Sequence, residues 1–230
     1  AALAFLLELG LTEPDPVDDV ILNVLPRYDG NCDLPKDSGY EEDIRAVLRV
    51  FGTDSKAQIE QLISDLRESR FVAAVDAGDG STCLAKPGNV YIATERLKAL
   101  FEGTPGVLLV DDSLDVLRGD RIRDLLEKCG AQRYLRRISS KLELTEEQLS
   151  EFRKEVGCGK RRSYRETATD SAIDGLKALC ARLGELPPED AVPRARLLWE
   201  SLGRLHRQHG DSAFRGEFHC GHTTHKQRVP

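Results

Sequence analysis

The chain has 230 residues, 40% apolar and 31% charged, which is enough for one large or two small hydrophobic cores and far from the composition of disordered chains. A formal net charge of −6 and a pI near 5.5 argue against a nucleic-acid-binding role for the whole chain, because neutralising phosphates requires an excess of Lys and Arg on one face. The longest apolar run, Ala1 to Leu7, falls far short of the roughly 20 residues of a membrane-spanning helix and lacks the basic flank and cleavage site of a signal peptide.

In chain order, Asp15 as N-cap and Pro16 at the first helical position open a helix striped by Val17, Val20, Ile21 and Val24. Ser38 and Glu41 form a capping box before Ile44, Val47, Leu48 and Phe51. Asp54 caps a third helix with its stripe at Ile59, Leu62, Ile63 and Leu66. Phe71 to Val75 is short and β-prone, and the turn-rich Ala77 to Ser81 follows it, so a β-hairpin is expected over 71–86. Two helices and a hairpin have the order of a winged helix. The expected recognition helix nearly balances Asp54, Glu60, Asp65 and Glu68 against Lys56, Arg67 and Arg70, which suits protein contacts better than phosphates.

Further on, Leu97, Leu100 and Phe101 mark another helix, Gly106 to Asp112 a buried strand, and Ile122, Leu125, Leu126 and Cys129 a helix ended by Gly130. A first domain therefore spans 1–138. Residues 139–168 read as a polar linker holding one short helix, with Thr145 and Gln148 as its capping box and Leu149, Phe152 and Val156 inside. Residues 169–230 read as a helical hairpin with a basic, His-rich tail: one helix carries Ile173, Leu176, Leu179, Cys180 and Leu183, the other Leu197, Leu198, Leu202 and Leu205. The fold class expected is mainly α with small β elements, that is α+β.

Four constellations could carry chemistry. Asp76-Ala77-Gly78-Asp79-Gly80 fits the D-x-G-x-G box of histidine-kinase-like ATPases, and Asp19 with Asn23 imitates the acid-x-x-x-Asn helix that positions Mg²⁺ in them. A hairpin turn explains the same residues more simply, since Gly and Asp reverse a chain at little steric cost, Pro26 interrupts the helix, and no later glycine-rich lid is present. His206, His209, His219, Cys220, His222 and His225 place six potential zinc ligands within twenty residues, but without a paired Cys-x-x-Cys and beside Arg207, Arg215 and Lys226, so a solvated basic tail is preferred. Asp111 and Asp112 follow a strand where α/β enzymes often hold a metal, and are read as capping or solvated acids. Cys158 has basic neighbours that could activate a thiol.

The six cysteines (Cys32, Cys83, Cys129, Cys158, Cys180 and Cys220) are scattered without a disulfide-like pattern, which suits a reducing cytoplasm. The chain contains no Met, and its first residues read like a helix already under way, so an internal segment of a larger protein is expected.

Leu9 to Tyr28, Tyr40 to Gly80, Lys86 to Gly103 and Gly106 to Asp112 together resemble bacterial proteins of the sacsin-like class. These are very large chains with a histidine-kinase-like ATP-binding domain near the N-terminus and long helical regions after it. The matching phrase is Phe71, Val72, Asp79, Gly80, Lys86, Pro87, Val90 and Tyr91, which in such proteins looks like a structural repeat placed after the ATPase. The resemblance implies that Asp76 to Gly80 is a turn, and that ATP and Mg²⁺ belong elsewhere in the parent protein. No cofactor is expected in this segment, and its partners are other domains of the same chain or other proteins, not a membrane.

Overall fold

The computed structural model describes residues 15–30, 39–53, 55–155, 157, 166–220 and 223–227. The expected caps Ser38 and Asp54, together with Cys32 and Cys158, lie outside them. The class is α+β, and the chain divides into two units, one of residues 1–98 and 106–133, the other of 99–105 and 134–230.

The first unit opens with α1 (Pro16–Asp19). The Asp15 carboxylate caps it by accepting from the Val17 amide at 2.9 Å, and Pro16 sits where a missing N–H costs nothing. The helix then widens into a π-helical segment over Val20–Val24 and tightens into a 3₁₀ turn over Leu25–Tyr28. Pro26 has no N–H to give to the preceding turn, so a regular α-helix cannot run through it. Val17, Val20 and Val24 are buried as their spacing requires, and Ile21 packs against the same core.

Next come α2 (Gly39–Phe51) and α3 (Lys56–Glu68). Ile44, Val47 and Phe51 turn inward on α2 and Leu62 and Leu66 on α3, while Leu48, Ile59 and Ile63 are only partly covered. Each of the two fully enclosed leucines contributes on the order of 2 kcal/mol of transfer free energy.

The hairpin follows as β1 (Val72–Asp76) and β2 (Thr82–Ala85), with Val72 opposite Ala85 and Val75 opposite Thr82. The sheet goes beyond the hairpin. β3 (Val90–Tyr91) and β4 (Leu108–Val110) complete the order β2-β1-β4-β3, in which β4 runs antiparallel to β1 and parallel to β3. Between them lies α4 (Glu95–Phe101), through which the chain passes from the first unit into the second, and α5 (Asp120–Lys128) closes the first unit. Ile122, Leu125, Leu126 and Cys129 are all buried. Gly130 at φ +111° ends α5 in a Schellman arrangement: its amide donates to the Glu127 carbonyl at 3.0 Å and the Ala131 amide to Leu126 at 2.9 Å.

A polar seam ties these layers together. The buried Tyr40 hydroxyl donates to the Phe71 carbonyl at 3.0 Å and accepts the Ala73 amide at 2.9 Å, while the Ala73 carbonyl accepts from Asp111 N at 2.9 Å. Tyr28 meets Tyr40 edge to face at 6.1 Å and donates to Asp43 at 2.8 Å, and Asp43 also accepts from Arg27 at 2.9 Å. Burial, more than the hydrogen bond to Asp43, pushes the Tyr28 hydroxyl far above its ordinary range, and burial does the same to Tyr40, so both stay protonated.

The second unit departs from expectation. The stretch 139–168 is not a linker: β5 (Arg137–Leu142) and β6 (Thr167–Ile173) pair antiparallel across it, flanking α6 (Glu146–Glu155). Polar β-strands such as Thr-Ala-Thr-Asp-Ser-Ala-Ile, whose buried Ala168 and Ile173 fall on opposite faces with half-buried residues between them, show too little apolar alternation to be recognised by pattern. The Thr145–Gln148 capping box is formed reciprocally, with Thr145 N to Gln148 Oε1 at 2.9 Å and Gln148 N to Thr145 Oγ1 at 3.4 Å. Leu149 and Phe152 pack toward Ala168 and Phe218, whose ring lies 5.6 Å from that of Phe152.

The two terminal helices are α7 (Leu176–Glu185) and α8 (Pro188–His209). Ile173 belongs to β6, not to α7, and Cys180 is exposed while Leu179 is buried. The stretch read as an unpacked tail holds β7 (Gly216–Cys220) and β8 (Thr223–Gln227), which extend the sheet in the order β5-β6-β7-β8. Among the described residues no helix is long and apolar enough to cross a membrane.

Candidate functional site

The Asp-Gly loop joins two paired strands, so its geometry begins with closing a hairpin. Asp76 N donates to Ser81 O at 2.8 Å and Gly80 N to Asp76 O at 2.9 Å, with Gly80 at φ +73°, a conformation that a side chain would strain. Both carboxylate oxygens of Asp76 are engaged by backbone: Oδ1 accepts from Gly78 N at 2.7 Å, and Oδ2 accepts from Gly106 N at 2.9 Å. The second contact, supported by Ala77 N to Val107 O at 2.8 Å, fastens the turn to the segment entering β4. Asp79 accepts from Ser81 N at 2.8 Å, and its hydrogen bonds from Ser81 hold its carboxyl below the ordinary range.

Asn23 donates to Asp19 at 2.6 Å, one helical turn back on the exposed side of the π-helical segment. The two residues of the acid-x-x-x-Asn pattern therefore bind each other. In this arrangement Asp76, Gly78 and Gly80 build a turn and Asn23 a local side-chain bridge.

Asp111 is buried and accepts from both Ser113 N, at 3.0 Å, and Ser113 Oγ, at 2.5 Å, which makes it the first residue of a turn. Asp112 pairs with Lys98 at 2.6 Å, and that hydrogen bond raises the Lys98 ammonium above its usual range. The two acids thus face separate partners.

At the C-terminal end, His206 Nε2 lies 3.1 Å from Asp211 Oδ1, and its ring stacks on Phe214 at 6.3 Å. His209 is exposed at the end of α8. The side chains of His219, Cys220, His222 and His225 lie outside the described residues, and among the described residues no three His, Cys, Asp or Glu side chains gather as a metal cage would require.

One surface escaped the reading by motif. Trp199 is 76% exposed, and with Leu202, Gly203, His206 and Phe214 it lines a trough of about 410 Å³ on α8 and the turn after it. The signal was available as Trp199 beside the leucine stripe, one residue out of phase with Leu198 and Leu205, which are buried. Comparison with family models, with curated proteins and with solved structures finds no match for this chain.

Proposed function

We infer that this chain is a non-catalytic structural and protein-interaction segment of a larger cytoplasmic protein, resembling the sacsin-like multidomain ATPases, with ATP and Mg²⁺ handled by other parts of the parent. The helix-helix-hairpin unit, winged-helix-like in order, would serve as a packing or protein-contact module. The observation that carries this reading is the occupation of both Asp76 carboxylate oxygens by the Gly78 and Gly106 amides. The two amides hold this carboxylate between the turn and the segment entering β4, a structural role that accounts for its position without a nucleotide.

Calorimetric titration of the chain with Mg-ATP and with ADP tests it, and no saturable heat is expected. Asp76→Ala should lower unfolding free energy by about 1 kcal/mol for each tie lost, measured by urea denaturation. Saturable nucleotide binding that Asp76→Asn abolishes while the fold is kept would replace this reading with that of a degenerate ATP-binding domain.

A further inference from the structure

A tryptophan at three-quarters exposure is an unusual surface residue, since its large apolar ring gains most when covered. Trp199 is joined by Phe214, 44% exposed, and both open onto the trough floored by Gly203. A glycine inside a helix costs about 1 kcal/mol relative to alanine. Internal packing does not require it here: a Cβ at Gly203 would meet only the Arg207 guanidinium, at an ordinary 3.7 Å. What the missing side chain provides is depth.

The walls are already fixed. His206 is held between Asp211 and Phe214, and Arg215 grips the other Asp211 oxygen at 2.9 Å, so a ligand would find this side pre-ordered. The charge around the trough is cationic. Arg196 lies one turn before Trp199 and Arg207 one turn after Gly203; both are exposed, and neither has a carboxylate partner among the described residues. Glu200, the one acid of α8 beyond its first turn, is already engaged.

We propose that the Trp199–Gly203–Phe214 trough is a docking site for an acidic amphipathic peptide segment of a protein partner, which inserts a bulky apolar side chain over Gly203 and sets carboxylates against Arg196 and Arg207. A helix laid in a groove in this way buries its anchors at i, i+3 and i+4 and uses charge at the rim for specificity. A second copy of the chain is a poorer occupant, because a two-fold pairing of this face would bring the same arginines together. The proposal rests on the interaction reading above and fails separately from it, since nucleotide titration tests the Asp76 turn and the experiment here tests α8.

Trp199 is the sole tryptophan, so its emission reports directly on the trough. The probe is a synthetic amphipathic helical peptide of about four turns, with a Leu and Phe anchor row flanked by glutamates, compared with its lysine-flanked counterpart. The expected result is a saturable blue shift with the glutamate peptide and an affinity at least ~10-fold weaker for the lysine peptide, which corresponds to about 1.4 kcal/mol. Gly203→Leu, which fills the trough from an open position, should abolish the shift while far-UV circular dichroism is unchanged. The exposed double variant Arg196→Glu with Arg207→Glu should reverse the peptide preference. No shift with either peptide, equal affinity for both, or a blue shift that depends on protein concentration without peptide, the mark of a self-pairing face, would overturn the proposal.

Discussion

The first unit wraps Ile44, Leu62, Leu66, Phe71 and Leu125 in one cluster, whereas in the second the cluster beneath the sheet joins the buried Ala168 and Phe218 to the partly covered Leu142, Leu144, Leu149 and Phe152, and Leu135, Leu179, Leu198 and Leu205 are buried apart from it. The second unit also holds an ion cluster. Arg153 is nearly enclosed, and its guanidinium forks onto Glu166 at 2.7 and 2.6 Å while reaching Glu146 at 3.1 Å. The second unit leaves Trp199 in solvent, and that exposed ring is the surface on which the proposed docking site rests.

The largest effect that would sharpen this contrast is Leu66→Ala, expected to cost about 2–5 kcal/mol because the site is fully enclosed, against about 1 kcal/mol for the half-covered Leu149→Ala. Urea unfolding followed by circular dichroism gives each total cost, and amide hydrogen exchange resolved along the chain assigns it to one unit. Equal costs would break the comparison.

Next in size is Tyr40→Phe, which leaves the Phe71 carbonyl and the Ala73 amide without their buried partner and should cost about 1–3 kcal/mol, all of it in the first unit. Faster amide exchange in the second unit would contradict the assignment.

A smaller effect follows from alkaline pH. Burial pushes the Cys129 thiol up to about 12 from an ordinary 9.0. The unfolded chain releases this proton first, so the contribution is complete below about pH 9 and is lost as pH rises toward 12; the buried hydroxyls of Tyr28 and Tyr40 act in the same direction at higher pH. The urea midpoint of the first unit should therefore fall between pH 8 and 11, and Cys129→Ala should flatten the slope.

Smallest is Gly203→Ala, expected to stabilise α8 by up to about 1 kcal/mol while weakening peptide docking. Stability and binding moving in opposite directions is the outcome that marks this glycine as kept for its surface.

Where apolar residues recur every three or four positions, as on α2, α3 and α5, pattern and structure agree, because burial on one helical face is what that spacing encodes. The Asp15 cap, the Thr145 box and the Gly130 stop are local chemistry, and they too were readable. The parallel pairing of Val90–Tyr91 with β4 was not, since two residues carry no period, and its partner arrives only after α4. β5 and β6 escaped for a different reason: in a sheet only partly covered, the backbone ladder does what apolar alternation does elsewhere. At the candidate sites, the Asp76 turn was legible from its glycines, while the tie to Gly106, thirty residues away, was not. Trp199 was in plain view, but one position on a helix decides between inside and outside, and only the packing of Leu198 and Leu205 settles which.

The second unit includes residues 99–105, the end of α4 and the loop that follows it, so the chain enters it twice. That short visit supplies Glu102, whose backbone carbonyl and carboxylate hold Arg194 of α8 at 2.6 and 2.5 Å, and Gly103, which lies against Arg182. A fragment cut to begin at Tyr134 would thus leave Arg194 without its Glu102 partner and Arg182 without the backbone it packs against. Dissecting this protein calls for co-expressed pieces or a permuted chain instead of a single scission.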